Sequence, residues 1–141
     1  MKRRSDPLDY AYRLLSVRDR AWSEIEKRMR IKGYSVKEIE SVKDRLLELK
    51  FINDDEFVVS YIENKRKKLW GPIRVRMELQ RLGLQRILIE RHLEDVDWET
   101  VFDEAVKTFQ SRFKNRRLIS KLQRQGFPLG WIWEAVKQID N

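Results

Sequence analysis

The sequence predicts an all-α protein of three tandem three-helix repeats forming an elongated, curved body. Three observations predict it. Apolar residues recur with helical spacing almost throughout, and alternating strand patterns are absent. The few glycines and prolines fall mostly where helices should start or stop. A single apolar frame around glycine occurs three times, at spacings of 50 and 43 residues.

The frame reads as follows. Gly33-Tyr34, Gly83-Leu84 and Gly126-Phe127 each pair glycine with a large apolar residue. Four residues before the glycines stand Met29, Leu79 and Leu122; eight before stand Ile25, Val75 and Leu118. Six after stand Ile39, Ile89 and Ile132. Apolar residues four apart stack on one helix face. Glycine just past that face can take the left-handed conformation that caps the last carbonyls, and the next apolar residue folds back on the helix end.

Each helix has its own signals. The first repeat, 1–53, holds helices over 7–18, 21–32 and 36–50. Asp6-Pro7 puts a capping aspartate before proline at the first helical position. Ser35 with Glu38 forms a capping box. The second repeat, 54–96, holds helices over 54–69, 72–82 and 85–95. Asn53 with Glu56 repeats the capping logic, and Gly71-Pro72 opens the middle helix. The third repeat, 97–141, holds helices over 98–113, 116–125 and 128–139, with Asp97 and Asn115 as the expected caps. Each unit is small, so neighbours should stack and share apolar surface.

Composition narrows the function. Hydrophobic residues are 41% of the chain, too many for global disorder, and charged residues are 38%, which suits a large surface relative to the core. Cysteine is absent, which excludes disulfides, thiolate chemistry and zinc–thiolate sites and fits a cytoplasmic protein. The N-terminus is basic but interrupted by acids, unlike a secretory signal, and no apolar run approaches the ~20 residues of a membrane span. A pI near 9.8 and a net charge of +8 point to an acidic partner.

The charge is local. The three repeats carry +5, +1 and +2. Residues 64–77 contain no acid and hold Lys65, Arg66, Lys67, Lys68, Arg74 and Arg76. Residues 105–133 contain no acid and hold Lys107, Arg112, Lys114, Arg116, Arg117, Lys121 and Arg124. Both windows straddle a helix–helix corner, so basic groups gather from two helices onto one end of a unit. Such clusters can meet phosphates or carboxylates, and salt should weaken them. The plainer reading is that cations at a helix C-terminus complement its dipole, which suits Lys65 to Lys68. Arg74 and Arg76 lie on different sides of their helix, whereas Arg74 and Arg81 share a face, as do Arg117, Lys121 and Arg124. Trp22, Trp98, Trp131 and Trp133 are expected to fill seams between helices. Trp70 sits at the basic corner, where it either packs or stacks on a partner.

Catalytic machinery is missing. Neither a Gly-x-x-x-x-Gly-Lys loop nor a Gly-x-Gly-x-x-Gly turn occurs. The single histidine, His92, rules out multi-histidine metal sites and is expected at a packed or half-exposed helical position. Asp54, Asp55 and Glu56 read as an acidic helix N-terminus rather than a magnesium site. The expectation is a binding protein, not an enzyme, with no cofactor, acting as a monomer.

"FINDDEF" (51–57), "GPIRVRMELQRLGL" (71–84) and "LQRQGF" (122–127) resemble the RecX family of bacterial recombination regulators. The residues carrying the likeness are Phe51, Ile52, Asn53, Asp54 and Phe57; Gly71, Arg74, Glu78, Leu79 and Gly83; and Arg124, Gly126 and Phe127. It covers nearly the whole chain. One departure is Ala21, where the family often has a capping serine, which leaves Asp19 as the candidate cap. The resemblance implies tandem three-helix repeats and binding to the RecA recombinase filament, with suppression of strand exchange and ATP hydrolysis. It also allows direct contact with single- or double-stranded DNA. The partner-binding residues expected are Lys65, Arg66, Lys67, Lys68, Trp70, Arg74, Arg76, Arg81, Arg112, Lys114, Arg116, Arg117, Lys121 and Arg124. Two alternatives stand beside it: a DNA-binding protein acting without RecA, and a helical-repeat adaptor for another acidic protein.

Overall fold

A computed structural model of the chain describes residues 5–139. The basic Lys2, Arg3 and Arg4 of the N-terminus, and the outer limits of the first and third repeats, lie outside the described residues. Among the described residues the chain forms nine helices and no strand: α1 (Pro7–Val17), α2 (Trp22–Lys32), α3 (Val36–Glu48), α4 (Asp54–Lys67), α5 (Pro72–Arg81), α6 (Arg86–Glu94), α7 (Trp98–Gln110), α8 (Arg116–Gln125) and α9 (Leu129–Ile139).

The glycine frame is the skeleton of the core. All twelve of its apolar positions are buried, from Ile25, Met29, Tyr34 and Ile39 to Leu118, Leu122, Phe127 and Ile132. Gly33, Gly83 and Gly126 have φ of 98°, 86° and 102°, the region in which a side chain is strained and glycine is not. After α2 the Gly33 N–H donates to the Arg30 carbonyl and the Tyr34 N–H to that of Met29, and after α8 the same pair of bonds runs from Gly126 and Phe127. These are the paired closing bonds that satisfy the last carbonyls of a helix.

The chain divides into two compact units, one running to Phe57 and including Leu82–Leu84, the other comprising Val58–Arg81 and Gln85 onward. In the first, Ala11, Trp22, Ile25, Met29, Tyr34, Ile39, Val42, Leu46 and Ile52 form one core. Asp6 caps α1 through the N–H groups of Leu8 and Asp9. Ser35 and Glu38 close the capping box of α3. The start of α2 differs from expectation. Asp19 does not cap it; Ala21 occupies the cap position with no side-chain bond. Ala21 is fully buried, so a polar cap has no place there, and the Asp54 carboxylate accepts from the Trp22 N–H at 3.4 Å instead. The hydroxyl of Ser23 donates to the Leu82 carbonyl, tying the Leu82–Leu84 turn into this unit.

In the second unit Val101, Phe102, Ala105, Leu118, Leu122, Phe127, Ile132 and Val136 form a core, with the rings of Phe102 and Phe127 edge to face at 5.1 Å. Asp97 caps α7 through the Thr100 N–H at 3.2 Å. Asn115 stands at the cap position of α8, but its side chain makes no cap bond because its backbone lies at φ 51°, ψ −122°. Helices α3 and α4 each stop two residues before the sequence suggests. Lys50 and Leu69 take left-handed backbones, φ 59° and 63°, so these ends have the glycine-type cap without the glycine that would mark it. The tryptophans also divide. Trp22 is buried, and Trp98 is half-buried and donates to the Leu93 carbonyl. Trp131 is 39% exposed yet sets its ring against Phe102 of α7 at 5.7 Å, as expected of a seam residue, whereas Trp133 is 55% exposed. The core face of α9 is Ile132 and Val136, and one residue along the helix is a turn of about 100°.

Candidate functional site

The second unit contains a basic–aromatic corner between α4 and α5, whose backbone is tied to the end of α8. Helix α4 ends when Leu69 takes its left-handed turn and the Trp70 N–H donates to the Lys65 carbonyl at 3.1 Å. Helix α5 then begins at Pro72, which has no N–H to satisfy. The free donors nearby go to the end of α8: the Gly71 N–H to the Gln125 carbonyl at 2.7 Å and the Ile73 N–H to the Gly126 carbonyl at 3.0 Å. The donors at one helix start thus satisfy the orphan carbonyls at another helix end, and the two dipoles meet with opposite sign. The approach is close enough that a Cβ on Gly71 would lie 2.4 Å from the Gly126 oxygen. Both glycines are therefore fixed by backbone-to-backbone contact.

The side chains build on this joint. Gln125 is buried. Its amide nitrogen donates to the carbonyls of Lys68 and Leu69 at 3.2 and 2.9 Å. Its amide oxygen accepts from Arg74 Nη1 at 3.3 Å. The Arg74 guanidinium lies 3.6 Å from the centroid of the Trp70 ring, and Lys65 Nζ lies 4.6 Å from the same ring and 5.2 Å from that of Tyr61. Both contacts are of the cation–π kind. Burial, then the Lys68 and Arg74 charges, hold the Lys65 ammonium below its usual range. Burial, then Glu78, push the Tyr61 phenol up, with Arg74 and Arg81 pulling the other way.

The remaining expected contact residues fall into two groups. Some are held by nearby carboxylates: Arg66 by Glu63 at 2.7 Å, Arg76 by Glu90 through two bonds of 2.6 and 3.3 Å, and Arg81 by Glu78 at 3.5 Å. The Arg76 bonds hold the Glu90 carboxyl below its usual range. Others are exposed with no ion pair among the described residues: Lys67 and Lys68, and on the α7–α8 side Arg112, Lys114, Arg116, Arg117 and Arg124. Lys121 is half-buried, with Nζ 4.9 Å from the Phe109 centroid. The structure thus gathers Lys65, Trp70 and Arg74 into one cluster, and it adds Gln125 and Tyr61, which the sequence reading missed. Gln125 had a signal. With Leu118 and Leu122 it completes an i, i+4, i+7 stripe, which places an amide on the buried face of α8.

Among the described residues no group of three or more His, Cys, Asp or Glu side chains could hold a metal ion. His92 lies half-buried in the last turn of α6. No described helix is long and apolar enough to cross a membrane.

Fold and corner together define an all-α helical-repeat protein with tight glycine joints and cationic, aromatic side chains set at a helix junction. Residues 8–46 match the model of the first three-helix domain of RecX, and residues 53–93 that of the second. The regulatory protein RecX of Thermotoga petrophila is 35% identical over 137 residues, spanning 96% of this chain and 85% of the relative. That of Pseudomonas syringae pv. tomato is 28% identical over 130 residues, spanning 84% of this chain and 82% of its own. The crystal structure of RecX from Lactobacillus salivarius superposes with a TM-score of 0.80 at 20% identity, covering 95% of this chain and 94% of that one. The chain belongs to the RecX family.

Proposed function

We propose that the protein binds RecA recombinase filaments and restrains their strand exchange and ATP hydrolysis. The observation that carries the proposal is the 35% identity over 137 residues to a regulatory protein RecX. The basic corner and the exposed cations of α8 supply the chemistry. Arginine suits an acidic partner because its planar fork donates two bonds at once. The three-helix segments 1–53, 54–96 and 97–141 serve as successive contact modules, and contacts distributed among them give avidity from individually weak pairs. The protein works by binding, without a cofactor, as a cytoplasmic monomer. Bridging between filament protomers opposes the rearrangements of turnover.

The exposed Arg112, Lys114, Arg116, Arg117 and Arg124, with no ion pair among the described residues, favour a second reading, direct contact with DNA phosphates. One titration tests the first: RecA ATP hydrolysis on single-stranded DNA should fall as the protein is added, and an unchanged rate at low ionic strength refutes it. A pull-down separates the readings. Capture that requires the RecA–DNA filament supports the first. Capture by naked DNA alone, with a steep salt dependence, supports the second. Capture that needs neither points to an adaptor for another acidic protein.

A further inference from the structure

We propose that Gln125 is a positioning residue: from the core it holds the Arg74 guanidinium over the Trp70 ring, so that α5 presents one pre-set cation, flanked by exposed Ile73 and Met77, to a carboxylate on the surface of a partner protein. The inference rests on the filament-binding reading given above and names the contact within it.

The first support is a missing counter-ion. Arg66, Arg76 and Arg81, on either side of Arg74, each face a glutamate. Arg74 is half-buried, yet among the described residues no carboxylate lies within 4.0 Å of it. A glutamate is available in sequence. Glu78 stands one turn along α5, where an i, i+4 pair could form, but it pairs with Arg81 instead. Arg74 is drawn the other way, onto the Trp70 ring at 3.6 Å and the Gln125 amide oxygen at 3.3 Å. Arg74 is thus held by a ring and an amide rather than by a carboxylate, and an external oxyanion can complete its fork.

The second support is fixity. Gln125 is clamped by its two bonds to the Lys68 and Leu69 carbonyls, while its own carbonyl accepts the Gly71 N–H. The amide oxygen that meets Arg74 therefore cannot swing freely. A guanidinium already ordered loses less side-chain entropy when it binds.

The third support is composition. Ile73 and Met77, one turn apart on α5, are 40% and 58% exposed. Trp, Tyr, Met and Arg grouped together are the enriched residues of protein interfaces. A phosphate track has no need of the exposed apolar pair Ile73 and Met77. The surface therefore fits an apolar patch carrying a carboxylate.

The test uses the full chain and RecA filaments assembled on single-stranded DNA, with affinity read by anisotropy and folding by circular dichroism. Arg74→Ala should weaken filament binding about 10-fold or more, and Arg74→Lys should restore only part of it. Gln125→Glu, which neutralises the guanidinium with a side chain of the same size, should act like Arg74→Ala. Gln125→Met should weaken binding about 3-fold or more in the wild-type background and have no effect in the Arg74→Ala background. A Gln125→Met loss that is equal in both backgrounds marks a merely structural role and overturns the proposal. So do folded Arg74→Ala and Gln125→Glu proteins that bind as the wild type does. A parallel loss of naked single-stranded DNA binding in Arg74→Ala overturns it in favour of phosphate. Failure of the wild type itself to bind filaments overturns the underlying filament reading, and this inference with it.

Discussion

Gly126 allows a sharp test of the corner. In Gly126→Ala the new Cβ would lie 2.4 Å from Arg74 Cβ, 2.6 Å from its backbone nitrogen and 3.0 Å from its Cα. Two of those atoms are backbone, and α5 is pinned by the Ile73 N–H bond to Gly126 itself, so the clash is not relieved by a rotamer change. Its cost resembles overpacking, about 1–3 kcal/mol. The left-handed backbone at φ 102° adds about 1 kcal/mol for a residue with a Cβ. The sum, about 2–4 kcal/mol, corresponds to a fall in melting temperature of about 10 °C for a domain of this size. Gly130→Ala is the matched control. Gly130 lies in the first turn of α9 with nothing within 4 Å of its prospective Cβ, so the same chemical change should stabilise by about 0.4–1 kcal/mol. Thermal unfolding followed by circular dichroism measures both. If the two compact units melt separately, the Gly126 shift belongs to the second alone. Equal melting temperatures for Gly126→Ala and the wild type would refute the joint as described.

Three further outcomes are expected. Lys50→Gly should stabilise by about 1 kcal/mol, because Lys50 is exposed and holds a left-handed backbone at φ 59° that glycine adopts without strain; urea midpoints decide it. Ser35→Ala should destabilise by about 1 kcal/mol by removing one arm of the α3 capping box, with the loss checked by the same midpoints. The Glu90 carboxyl is held below its ordinary value by the Arg76 hydrogen bonds. Its contribution is therefore present above an unfolded pKa of about 4.3 and is lost as pH falls through the lower folded value. Both side chains are 37% exposed, so the effect should stay below about 1 kcal/mol. Glu90→Gln should flatten that part of the acid unfolding curve, and an identical acid limb in the variant would count against the pair.

Local chemistry made most of the fold readable. Asp6-Pro7, Ser35 with Glu38, and Asp97 act through neighbours two or three residues away, so nothing distant is needed to place them. The repeated glycine frame was readable for the same reason, since each cap and its apolar partner lie within one turn of a helix. The misses share the opposite cause. Lys50 and Leu69 take left-handed backbones that their side chains do not announce. Ala21 replaces a capping residue because the position is buried, with Asp54 answering from far along the chain. Trp133 is exposed although its type predicts burial, because only packing assigns which face of α9 turns inward.

The candidate contact residues divide along the same line. Which stretches are basic and free of acids is a property of sequence, and so is the capacity of Arg74 and Arg81 to share a face of α5. Which cations are neutralised depends on residues brought close by folding. Arg76 meets Glu90 across the α5–α6 turn, and Arg74 meets Gln125 from a helix 51 positions along the chain. The linear chain determined the helices, their glycine ends and the location of positive charge, because these follow from contacts within a turn or two. Only the tertiary structure decided that the half-buried Arg74 meets a ring and an amide rather than a carboxylate among the described residues, because such pairing depends on distances of a few ångströms between segments that sequence spacing does not set.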